Sequence, residues 1–98
     1  MAKYVVLVNL TAQALADMKS APDRTKGARA LAQSLGGDMV ETYFTLGQYD
    51  IVGIMDFPDD EAAAKYAMSI GSLGNARTTT MRAFTSEEFG EVLGSLAD

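Results

Sequence analysis

Cysteine, histidine and tryptophan are all absent from this chain of 98 residues. Without cysteine there can be no disulfide, thiolate nucleophile or zinc ribbon, and without histidine the commonest general base and metal ligand is missing. Long apolar runs are also lacking: nothing approaches the ~20 residues of a membrane span. The run from Tyr4 to Val8 meets Asn9 and Thr11 too soon to serve as the core of a secretion signal. The expected location is therefore a reducing cytoplasm, with no membrane partner. Positive charge is scarce, with eight Lys and Arg against 13 Asp and Glu, a net charge of -5 and a pI near 4.5. Phosphate backbones are neutralised by clustered excess positive charge, so nucleic acid is not an expected partner.

What is present is an apolar fraction of 48%, ordinary for a globular protein. The length fits a single domain over 1–98, which buries roughly two thirds of the surface of its unfolded chain. Residues 3–10 (KYVVLVNL) are β-branched and apolar on both alternating faces, as a central strand covered on both sides must be. Thr11 can cap a short helix carrying Ala14, Leu15 and Met18 on one face. A second helix opens at Ser20-Ala21-Pro22-Asp23, repeats Ala28, Leu31, Ala32 and Leu35 at helical spacing, and stops at Gly36-Gly37. Strands follow at 38–45 and 49–57, with Gly47 marking the hairpin between them.

After Pro58, Asp59-Asp60-Glu61 place negative charge at a helix start, where the macrodipole favours it. Ala63, Tyr66, Ala67 and Ile70 form that helix's apolar stripe, and Gly71 to Asn75 ends it. Residues 76–84 read as a polar-flecked strand. Thr85-Ser86-Glu87-Glu88 is a capping box before a last helix striped by Phe89, Val92, Leu93 and Leu96.

The fold class is thus α+β, a ferredoxin-like βαββαβ unit with a C-terminal helix. Strands one and three are apolar throughout and two and four carry charges and threonines, so the former are central and the sheet order is 4-1-3-2. Right-handed crossovers put both long helices on one sheet face. The other face would then expose Val, Leu, Ile and Met side chains, a patch that monomers avoid. The terminal helix or a second subunit can cover it, and a homo-oligomer with isologous face-to-face packing is the simplest symmetric answer.

Three stretches carry a family resemblance: Leu46-Gly47-Gln48-Tyr49-Asp50, Pro58-Asp59-Asp60-Glu61, and Leu73-Gly74-Asn75-Ala76-Arg77-Thr78-Thr79-Thr80. With them the chain resembles the GYD domain family, small ferredoxin-like proteins related in architecture to the dimeric α/β-barrel proteins. Gln48 stands between the Gly47 and Tyr49 that match the Gly, Tyr, Asp signature. The resemblance implies the fold and an oligomer more than a reaction.

Candidate ligand-binding residues are Tyr49, Asp50, Arg77 and Thr79. Tyr49 and Asp50 match the signature, and a phenol beside a carboxylate can orient or deprotonate a substrate if the turn extends to include both. The alternative is an Asx-type turn bond by Asp50 and a packed Tyr49 ring. Arg77, Thr79 and Met81 share one face of strand four, and Thr78, Thr80 and Arg82 share the other. The set on the uncovered face would border a pocket for a small polar or anionic ligand, or else would simply guard an edge strand. Asp50 and Asp56 lie on one face of strand three but roughly 20 Å apart, too far for paired-carboxylate chemistry.

Asp59, Asp60 and Glu61 lack the loop ligands of a calcium site and read as helix-capping acids, so neither a metal nor a cofactor is expected. Gly71-Ser72-Leu73-Gly74 follows a helix, so it meets the wrong dipole end for phosphate. Tyr4, Tyr49 and Phe57 sit at strand ends without the basic clusters of an RNA-binding sheet. These residues suggest a small-ligand-binding homo-oligomer first. A cofactor-independent enzyme using Tyr49, Asp50 or Arg77, and an assembly module acting through its terminal helix, stand as alternatives.

Overall fold

Alternation along the first strand decides what it buries. In β1 (Ala2–Leu10), Tyr4 and Val6 are buried and Val8 is partly so, while Val5 and Leu7 point to the opposite face. The computed structural model describes residues 1–97. It sets β1 inside a four-stranded antiparallel sheet with β2 (Asp38–Phe44), β3 (Ile51–Phe57) and β4 (Ala76–Ala83), in the order β2-β3-β1-β4. This is the 4-1-3-2 order expected, with the charged and threonine-bearing strands at the edges, where they deter strand addition. Four strand limits differ from expectation. β1 starts one residue early, at Ala2. β2 and β4 each stop one residue short, and β3 starts at Ile51, leaving Tyr49 and Asp50 in the turn.

Helix α1 is a single turn, Ala12–Leu15, capped by the Thr11 hydroxyl, which accepts from Ala14 N–H at 3.3 Å. The expected longer stripe is broken, because Met18–Ser20 forms a separate 3₁₀ turn and Leu15 and Met18 are exposed. Ser20 does not cap α2 (Ala21–Ser34); its hydroxyl donates instead to Asp17 Oδ2 at 2.7 Å. Pro22 still supplies a preset φ in the first turn. At the other end of α2, Gly36 takes φ 82°. A Cβ on Gly37 would stand 2.2 Å from Asp56 O and 2.6 Å from the Phe57 ring, so only glycine lets the chain pass there.

Helix α3 (Asp60–Ser72) begins where Asp59 Oδ1 accepts from Ala62 N–H at 2.8 Å, and it buries Ala62, Ala63 and Tyr66. Both long helices lie on the Tyr4–Val6 side of the sheet. There Phe57 is fully buried between Tyr4, with ring centroids 5.7 Å apart, and Tyr66, at 5.3 Å. The small Ala32, Ala62 and Ala63 bring the helix backbones close to this cluster. Elsewhere α2 and α3 barely touch each other, and space opens between them.

Among the described residues no helix packs on the second face, which carries Val5, Leu7, Val52 and Ile54 on the central strands and Met81 on β4. The last helix, α4 (Ser86–Gly94), has its capping box complete: Glu88 N–H donates to Thr85 Oγ1 at 3.1 Å, and Thr85 N–H to Glu88 Oε1 at 2.9 Å. The bond from Thr85 N–H holds the Glu88 carboxyl below its ordinary range. Its stripe of Phe89, Val92, Leu93 and Leu96 is exposed, and within it Phe89 meets Phe84 edge-on with ring centroids 6.1 Å apart.

Candidate functional site

A register shift in β2 decides which side chains face the helices. Met39 pairs with Met55, but the next pair is Glu41 with Ile54, so Val40 is an extra, bulged residue. Plain alternation after Met39 would turn Glu41 toward the helices. The bulge instead turns Glu41 to the uncovered face and sets Thr42 opposite Gly53, on the helix side. Thr42 Oγ1 is buried there and has no hydrogen-bond partner among the described residues. A native protein leaves few such groups, and each one asks for a reason.

Thr42 lines a cavity of about 270 Å³ between the sheet and the two long helices. Val6, Val8, Ile51, Gly53 and Met55 form its floor, and Ala28, Tyr66 and Ile70 form its roof. Phe44 and Leu73, 58% and 63% exposed, mark its open rim. Gly53 gives depth to the floor, since a side chain at this central position would project into the space.

Polar groups on the wall are few. Thr25 Oγ1 donates to Ala21 O at 3.0 Å, and Asn75 Oδ1 accepts from Gln13 Nε2 at 3.1 Å, so both are engaged. Arg24 donates from Nη1 to Asp17 O at 2.7 Å and from Nη2 to Ala14 O at 3.3 Å. Thr78 stands on the helix-facing side of β4. The Tyr66 phenol is pushed up to about 12 by burial, so it is a neutral hydroxyl at physiological pH.

The residues singled out from the sequence lie elsewhere, and none of Tyr49, Asp50, Arg77 and Thr79 lines this cavity. Tyr49 and Asp50 are half-buried in the β2–β3 turn. That turn is tied by Thr45 Oγ1 donating to Tyr49 O at 2.6 Å and by Asn9 Nδ2 donating to Gln48 O at 2.7 Å. Asp50 Oδ2 accepts from Leu10 N–H at 2.8 Å, so its carboxylate satisfies the end of β1. Arg77 and Thr79 are exposed and pair with Asn9 and Leu7, which puts them on the uncovered face.

A second polar cluster stands at the far end of the sheet. There the Tyr4 hydroxyl donates to Asp60 Oδ1, and the Arg82 guanidinium lies 5.7 Å from the Tyr4 ring centroid and 4.4 Å from that of Phe84. Burial, helped by the bond to Asp60, pushes the Tyr4 phenol up to about 12. No group of three or more acidic side chains able to hold a metal ion occurs among the described residues. No helix among them is long and apolar enough to cross a membrane.

The cavity residues Thr42, Gly53, Tyr66 and Arg24 were not candidates on sequence grounds, and Thr78 stood only in the alternative face set of strand four. One signal did exist: a glycine inside an otherwise apolar central strand marks a place where a side chain is withheld.

Comparison with known proteins agrees with this geometry at the level of fold. The family model described as GYD domain matches residues 4–93. The crystal structure of TTHA0845 from Thermus thermophilus superposes with a TM-score of 0.57 at 24% identity, covering 88% of this chain and 96% of that one. No curated protein matches the sequence.

Proposed function

The chain belongs to the GYD domain family, and from that premise we propose that it is a homo-oligomeric small-ligand-binding domain whose two sheet faces have separate tasks. The helix-side cavity takes a ligand with an apolar body, and the uncovered face pairs with a second copy. The observation that carries the ligand reading is the buried, unpartnered Thr42 hydroxyl in the wall of an otherwise apolar cavity of about 270 Å³. An apolar cavity of ~150 Å³ already accepts a benzene-sized guest. An orphan hydroxyl adds a hydrogen bond that such a guest can complete.

Self-association is supported by the apolar centre of the uncovered face, formed by Val5, Leu7, Val52, Ile54 and Met81. Arg77 and Thr79 on the β4 edge, with Tyr49 and Asp50 at the adjoining turn, then supply the polar border where two copies meet.

Thermal unfolding in rising 3-phenylpropan-1-ol tests the ligand reading. At a hundredfold excess over its Kd a bound ligand adds about 2.7 kcal/mol, and a domain of this size gains roughly 4–8 °C per kcal/mol. The rise is expected to saturate, and to be absent in Gly53→Leu, whose side chain fills the floor. A melting temperature that stays flat for this alcohol and for a panel of similar aromatic alcohols and ketones would sink the proposal.

A further inference from the structure

The cavity's electrostatics narrow its guest further, and this step rests on the ligand-binding reading above. We infer that the guest is an amphiphile whose compact anionic head, of the carboxylate type, meets Arg24. Arg24 is the one charged residue lining the cavity among the described residues. Glu41, which plain alternation would aim into the cavity, is turned to the opposite sheet face by the Val40 bulge. The wall therefore holds one positive charge and no negative one, although the chain as a whole carries -5.

Among the described residues Arg24 forms no ion pair, and the pairs there are Lys3–Asp56 and Lys65–Glu61. Nearby Asp17 receives the Ser20 hydroxyl on its carboxylate and offers Arg24 only its backbone oxygen. The Asp17 and Ala14 carbonyls occupy two of the five guanidinium donors, and a third faces Met18 Sδ at 3.8 Å. The fork is thus held in place while donors remain for a planar anion. Its seat in the first turn of the 14-residue α2 adds the positive end of a helix dipole, although Asp23 shares that turn.

The other end of the site is fixed by register. Thr42 stands level with Gly53 and Val6, four residues along β1 from Leu10, which is on the order of 13 Å. Arg24 lies at the Leu10 end, bonded to the turn that follows β1. A guest spanning the two presents its anionic head to Arg24, its apolar body to Val8, Ile51 and Ile70, and one neutral polar atom to Thr42.

Calorimetric titration with 3-phenylpropanoate and 3-phenylpropan-1-ol, which share one body, tests this on the wild type, Arg24→Gln, Arg24→Lys and Gly53→Leu. The wild type is expected to favour the carboxylate roughly tenfold, the scale of a hydrogen bond to a charged partner. Arg24→Gln brings the ratio towards one, Arg24→Lys keeps part of it, and Gly53→Leu abolishes both bindings. Far-UV dichroism and melting curves confirm that each variant is folded. Equal affinities in the wild type, or a preference that survives Arg24→Gln, overturn the assignment of the head while leaving the cavity reading intact. If neither probe binds, or if Gly53→Leu binds both as the wild type does, the cavity reading falls and this inference with it.

Discussion

Replacing Gly53 by alanine adds one methyl group to the floor of the cavity, and the surroundings of that atom predict its effect. A Cβ there would lie 3.7 Å from Met55 Sδ and 3.9 Å from the carbonyl oxygens of Glu41 and Val6, ordinary van der Waals distances. Gly53 is not among the positive-φ glycines, so the backbone accepts an L side chain. Two gains then add: about 0.4–1 kcal/mol from restricting the unfolded chain, and about 0.8 kcal/mol from burying a methyl group. The total of about 1–2 kcal/mol corresponds to a rise in Tm of roughly 5–15 °C for a domain of this size. Gly37→Ala is the internal control, because its Cβ would meet Asp56 O at 2.2 Å and the Phe57 ring at 2.6 Å. Neither neighbour can retreat, since one is strand backbone and the other is fully buried, so this variant loses at least the roughly 1–3 kcal/mol typical of overpacking. Urea unfolding with unchanged m-values measures both. Gly53→Ala less stable than the wild type, or the two variants shifting in the same direction, would refute the picture of an open floor and a closed α2–β2 corner.

Alkaline unfolding should report the buried phenols. Tyr4 and Tyr66 are each raised from 10.0 to about 12, so the folded state holds these protons more tightly than the unfolded state. Their contribution is whole below pH 10 and is lost as pH rises from 10 through about 12. For Tyr66 that interval is worth roughly 2–3 kcal/mol. Urea midpoints at pH 9 to 12 are expected to fall less steeply in Tyr66→Phe, and an identical alkaline limb in the variant would contradict the burial argument. Leu7→Glu puts a carboxylate at the centre of the uncovered face, on the side away from the Phe57 core. Sedimentation velocity should find the wild type associated and this variant monomeric, with its far-UV dichroism unchanged. An oligomer that persists in Leu7→Glu would mean that copies meet through another surface.

How much of this was legible beforehand differs from element to element. Thr11, Asp59 and Thr85 announce their helices because a cap is a local contact between a side chain and a backbone N–H three residues on. The central places of β1 and β3 were equally legible, because a strand flanked by neighbours on both edges must be apolar along its length. The stripe of α4 was legible as amphipathic, but what covers it was not, since periodicity names an apolar face without naming its partner. Tyr49 and Asp50 stood out by their signature spacing, and the fold uses the Asp50 carboxylate on Leu10 N–H.

By itself, then, the sequence determined the order of elements, the order of strands and the one-sided placement of the helices, all consequences of short-range capping and of hydrophobic period. The tertiary structure alone decided the bulge at Val40 and the gap between α2 and α3. A one-residue slip in strand pairing reverses every later side chain. Whether Glu41 or Thr42 faces the cavity is therefore set by which residue pairs with Gly53, a choice made by the partner strand and not by residues 38–44 on their own.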